Sequence, residues 1–167
     1  HTDDAEVKIF NPAGYYATLK SRQPLAVYEM VDNQQVYIGQ FYLDKWRNNS
    51  DTEIEFECVD WIGLLDQITC RGGIWTGAGI VLQTLIETLL APIAAPYELD
   101  NNLYDIPVIG WLPICSYREA LQQIAFTVGA SVSCSRSGVI KIYQSKIASA
   151  AETYDAEITA AQKIGRA

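Results

Sequence analysis

The chain has 167 residues, enough for one compact domain or two small sub-domains sharing a core, and its composition, 49% hydrophobic and 19% charged, is that of a globular protein. Twelve Lys and Arg stand against 20 Asp and Glu, a formal charge of −8. No basic stripe is present to neutralise phosphates, which disfavours nucleic acid and anionic membranes as partners.

The opening residues, His1 to Glu6, are polar and acidic. They have neither the basic nor the apolar region of a signal peptide, and a start at His1 rather than Met reads as a piece cut from a longer protein. Leu25 to Val31 is predicted as a strand, Asp32-Asn33-Gln34 as a turn, and Val36 to Trp46 as a second strand. Asn48-Asn49-Ser50-Asp51 follows as a turn, built of side chains that bond their own backbone. In the third strand Glu53, Glu55 and Glu57 alternate with Ile54, Phe56 and Cys58. That period of two puts three carboxylates on a wet face and an apolar row on the other. Residues 1–70 are therefore expected to form a β-rich part built on an antiparallel meander.

Asp60 fits a helix N-cap before Ile62, Leu64, Leu65 and Ile68, with Gly72-Gly73 as the stop. A longer helix is predicted from about Ala78 to Leu90, so apolar around its circumference that it should be enclosed on several sides; Pro92 and Pro96 end it. A membrane span is not indicated, because the stretch Ile80 to Pro96 contains Gln83, Thr84, Glu87, Thr88 and those prolines. Ser116-Tyr117-Arg118-Glu119 is a capping box before a helix with Ala120, Leu121, Ile124, Ala125 and Val128 on one stripe and Gly129 at its left-handed end. A hairpin follows, Ser131 to Cys134 and Val139 to Tyr143 around Ser135-Arg136-Ser137-Gly138. Residues 71–146 thus read as a helix-helix-hairpin part and 147–167 as an alanine-rich tail segment ambiguous between helix and strand. The fold class expected is α+β.

Most catalytic constellations are missing. The one histidine is His1, so Ser-His-Asp and Cys-His relays have no proton carrier. Cys58, Cys70, Cys115 and Cys134 lack metal-site spacing and read as four free thiols of a reducing compartment. Gly72, Gly73, Gly77 and Gly79 precede a helix but match no phosphate-loop pattern. No catalytic residue, cofactor or metal is called for. Carboxylate chemistry stays open: Glu53, Glu55 and Glu57 lie close together, and Glu87 on an apolar helix would have a raised pKa if buried without a partner.

Aromatic residues are the remaining signal. Four Trp and ten Tyr, among them Tyr15, Tyr16, Tyr37, Tyr42, Trp46, Trp61, Trp75 and Trp111, exceed what a core of this size must hold. Such residues are enriched in protein interfaces and in sugar-binding platforms. Trp46, Trp75 and Trp111 are the candidate contact residues.

Three segments carry a resemblance. Gly39-Gln40-Phe41-Tyr42-Leu43-Asp44-Lys45-Trp46, then Glu53 to Asp60 with Gly63-Leu64-Leu65-Asp66, and Ile109 to Ala125 with its Arg118-Glu119-Ala120-Leu121-Gln122-Gln123-Ile124-Ala125 core, resemble baseplate-hub or tail-associated proteins of phages and prophages of Gram-positive bacteria. The resemblance spans about residues 36 to 145. It implies that the β-rich part, residues 1–70, is barrel-like, with α+β insertions, assembly around a tail axis through contacts with neighbouring tail proteins, and a place in a virion tail put together in the bacterial cytoplasm. It supplies no catalytic residues. Two other functions remain: a cell-wall carbohydrate-binding module using the aromatics, and a wall hydrolase pairing Glu87 with another acid.

Overall fold

A computed structural model describes residues 4–10, 19–50 and 53–145. Its architecture is α+β, as the patterning predicted.

The first part is a four-stranded antiparallel sheet. It comprises β1 (Asp4–Phe10), β2 (Pro24–Val31), β3 (Gln34–Ser50) and β4 (Glu53–Val59) in the order β1-β4-β3-β2. The β2–β3 hairpin closes through Asp32 and Asn33 at φ of 49° and 61°, the left-handed pair that a two-residue turn matched to strand twist requires. The sheet is open, with β1 and β2 as its edges, so no barrel closes among the described residues. β3 continues through the segment predicted as a turn, pairing Ser50 with Glu53. Residues 4–10, for which the patterning predicts no element, form edge strand β1.

Alternation along β4 holds on its apolar side: Ile54, Phe56 and Cys58 are buried with Leu43, against Leu19, Leu25 and Phe41. The polar side departs from the expected wet face. Glu57 is exposed beside Lys45 (3.7 Å), but Glu55 is only 3% exposed. Its strand is central, in register with Lys8 of β1 and Arg47 of β3. The Arg47 guanidinium grips its carboxylate with two donors, Nε to Oε2 at 2.8 Å and Nη2 to Oε1. The Arg47 guanidinium takes the place of the solvent that an alternating pattern alone suggests for Glu55.

The second part begins with α1 (Trp61–Asp66), whose N-cap Asp60 accepts from Gly63 N at 2.8 Å. α1 stops at Asp66, well before the glycines, and β5 (Thr69–Cys70) pairs with β9 (Cys115–Ser116). Residues 73–81 form strand β6 (Gly73–Val81), antiparallel to β8 (Pro107–Leu112), and not the first turn of a helix. Gly77 and Gly79 take φ of +67° and +76°, conformations that break a right-handed helix. The helix proper, α2 (Leu82–Leu90), buries Leu82, Leu85, Ile86, Leu89 and Leu90. It is less enclosed than predicted, because Thr84, Glu87 and Thr88 face out.

The capping box forms as expected: Ser116 Oγ accepts from Glu119 N (3.1 Å) and Glu119 Oε2 from Ser116 N (3.0 Å). It starts α3 (Tyr117–Thr127), which buries Ala120, Leu121, Ile124 and Ala125. β10 (Ala130–Cys134) and β11 (Ile140–Gln144) make the hairpin, and β7 (Tyr97–Leu99) joins β11 in parallel. One core unites these elements around Leu65, Leu82, Leu85, Ile86, Leu90, Leu103, Leu121 and Ile140. Burying each such side chain is worth about 1.5–3 kcal/mol. The sheet meets this part where Gln40 N and the Tyr37 hydroxyl both donate to Arg136 O (2.8 and 3.1 Å), and where Tyr42 meets Trp61 edge to face at 4.9 Å. Tyr42 and Trp61, counted from sequence among surplus aromatics, are core-edge residues. The tail segment 147–167 lies outside the described residues.

Candidate interaction surface

A two-stranded antiparallel ribbon packed on a core normally turns apolar residues inward and polar ones outward. The β6–β8 ribbon is apolar on both faces. Inward, Val108 and Leu112 are buried and Trp75 packs on the core. Outward, Ile74 and Trp111 are cross-strand partners, each 70% exposed, and Ile109, two residues along β8, is 60% exposed. Ile114 and Phe126 are also exposed. Residues 72–86 and 106–117 contain no Asp, Glu, Lys or Arg, in a chain of net charge −8. Covering this ribbon desolvates no side-chain charge, and leaving it bare keeps a patch of apolar surface in water.

Glycines fit the ribbon to its neighbours. Between the pairs Trp75↔Gly110 and Ile80↔Val108, β6 bulges outward by several residues. At Gly79, where φ is +76°, a Cβ would come within 2.5 Å of Val108 O. At Gly72, φ +70°, it would meet Leu112 O at 2.2 Å. Only backbone without side chains approaches so closely.

The structure brings two of the three predicted contact residues together. Trp75 and Trp111, on facing strands, both line a cleft of about 90 Å³ between the ribbon and α3, with Gln123, Ile124 and Thr127. Trp46 lies elsewhere, on β3 opposite Phe56, 38% exposed. Ile74 and Ile109 were missed, because 78–90 read as one helix. The absence of charge in two separated segments was the available signal. A second exposed apolar cluster, Tyr28, Met30, Val31, Val36 and Tyr37, occupies the tip of the β2–β3 hairpin, where Tyr28 and Tyr37 meet edge to face at 5.4 Å.

A further cleft of about 410 Å³ lies below the ribbon, lined by Cys70, Arg71, Trp75, Thr88 and Tyr117 among others. Glu87 is not buried: it is exposed and accepts from Gln83 Nε2 at 3.0 Å. Glu55 is held by Arg47, so neither carboxylate is the isolated buried acid that the hydrolase reading needs. Among the described residues no group of three or more His, Cys, Asp or Glu is placed to hold a metal ion. Among the described residues no helix is long and apolar enough to cross a membrane.

No protein family defined by sequence matches the chain, and no curated protein matches it. Solved structures do. The tail protein from Neisseria meningitidis MC58 superposes with a TM-score of 0.58 at 18% identity, over 84% of this chain and 41% of that one. The 43 kDa tail protein of prophage MuSo2 from Shewanella oneidensis gives 0.54 at 14% identity, over 89% of this chain and 46% of its own. The matches cover less than half the length of either solved chain, and this chain has the fold of the parts it matches.

Proposed function

We propose that the chain is a structural, non-catalytic component of a phage or prophage tail, part of a baseplate hub or its surroundings, acting through contacts with neighbouring tail proteins. The observation that carries this reading is the tail-protein fold over 84% and 89% of the chain. The β6–β8 ribbon gives it a physical basis: an uncharged strand pair, apolar on both faces, is the kind of surface a permanent assembly buries. On this reading Trp75 and Trp111, with Ile74 and Ile109, are interface anchors, and Trp46 belongs to a second contact or to none. The division into a sheet part and a helix-helix-hairpin part serves the same end, one packing unit presenting the ribbon and the other presenting the β2–β3 hairpin.

The test is direct. Tail particles from cells encoding the chain are purified and their proteins identified by mass spectrometry, with antibody labelling to locate the chain. The proposal expects a fixed stoichiometry in the particle and label on the tail. Absence from washed particles would overturn it. A cell-wall binding module would instead be retained on wall polysaccharide as the isolated chain.

A further inference from the structure

We propose that Cys70 and Cys115 form a reversible disulfide site that ties β5 to β9. Antiparallel pairing places the two directly opposite one another. Directly opposed Cα atoms lie roughly 4.5–5.5 Å apart, inside the roughly 4.4–6.8 Å range that a disulfide spans without backbone movement. Cys58 is in register with Ala5 and Leu43, and Cys134 with Ile140, so neither faces a cysteine across its strand pair. Cys70 and Cys115 are both thiols in the structure described, so what is assigned is that this pair oxidises.

Access and surroundings agree with this. Cys115 is half-buried, whereas Cys70 is 4% exposed, lines the larger cleft and accepts from Gly72 N at 3.4 Å. The more accessible thiol therefore reacts first. With a low-molecular-weight disulfide as oxidant, Cys115 as thiolate attacks one sulfur, forms a mixed disulfide and expels one small thiolate. Cys70, losing its proton, then attacks the Cys115 sulfur and expels the second. The two protein thiols lose two electrons, the small disulfide gains them, and both protons end on the released thiols. Burial, the neighbouring Cys70 and Glu119 push the Cys115 thiol above its usual pKa, so the first step accelerates as the solution becomes more alkaline.

The bond would close the loop 70–115, which contains the β6–β8 ribbon and α2, and so fix the frame that carries the apolar surface. The chemistry does not depend on the assembly reading. If that reading holds, a particle built in a reducing cytoplasm and released into oxidising surroundings passes through the relevant change.

The experiment incubates the folded, reduced chain with oxidised glutathione at mildly alkaline pH, quenches with an alkylating agent and maps disulfides by peptide mass spectrometry. The expected result is loss of two of the four titratable thiols, a Cys70–Cys115 linked peptide, the same link in Cys134→Ser, and only a stable glutathione adduct at Cys115 in Cys70→Ser. Retention of four thiols in the folded chain, while the urea-unfolded chain oxidises, would overturn the proposal. So would a link to Cys58 or Cys134, or links only between chains. Particle proteomics and thiol mapping fail independently of one another.

Discussion

Replacing Gly79 by Ala probes the ribbon where its geometry is tightest, and Gly77→Ala two residues away is the matched control. Both glycines have left-handed backbone, φ +76° and +67°, and an L side chain pays about 1–2 kcal/mol there. The two sites differ in space. A Cβ at Gly77 meets nothing within 4 Å, whereas at Gly79 it stands 2.5 Å from Val108 O and 2.8 Å from Ile109 Cγ1. Relieving that clash requires β6 and β8 to part by about 1 Å. This weakens one or two ladder hydrogen bonds at about 0.5–1.5 kcal/mol each and loosens the buried Val108 by up to about 1 kcal/mol. Gly77→Ala should therefore cost about 1–2 kcal/mol and Gly79→Ala about 3–4 kcal/mol. Urea unfolding followed by far-ultraviolet circular dichroism measures both as midpoint shifts at constant slope. Equal losses within about 0.5 kcal/mol, or a larger loss at Gly77, would refute the close approach of the strands on which the ribbon's geometry rests.

Other consequences follow from single contacts. Leu121→Ala empties a fully buried site in the shared core and should cost about 2–5 kcal/mol by the same unfolding measurement. Ser116→Ala removes the cap on Glu119 N and should cost about 0.5–2 kcal/mol, with Ser116→Thr, which keeps the hydroxyl that also donates to Asp66, recovering most of it. Because burial holds the Cys115 thiol above the ordinary thiol range, its alkylation rate should still be climbing at pH 9, with a midpoint at higher pH than that of an unstructured thiol measured alongside it. A plateau below pH 9 would contradict the burial assigned to it.

Much of the fold could be read from the chain where a local rule and a packing need coincide. Alternation at Ile54, Phe56 and Cys58, the Ser116–Glu119 box, the Asp60 cap and the Gly129 terminus each have a short-range physical cause, and each is present. What the chain hid were pairings made at long range. β7 is three residues long and acquires strand character from its parallel neighbour β11, so nothing within Tyr97–Leu99 announces it. β1 completes a sheet whose partner strand lies about fifty residues later, and Glu55 is buried although its spacing promised solvent because Arg47 on the next strand clasps its carboxylate. Residues 78–81 suit a helix in apolar spacing, yet the positive φ of Gly79 and the pairing with β8 make them strand. The candidate surface was half legible for the same reason. Trp75 and Trp111 were singled out by residue type, but only the register of β6 with β8 places Ile74 beside Trp111.

If the β6–β8 ribbon joins this chain to neighbouring tail proteins, as proposed, complementation of a deletion strain by an Ile74→Asp, Trp111→Asp variant should reveal it. Both side chains are 70% exposed, so the isolated variant should unfold at nearly the same urea concentration as the wild type. Particles from the variant strain should lack the chain, and infectious titre should fall with it. A folded variant incorporated at wild-type stoichiometry, with undiminished titre, would contradict it.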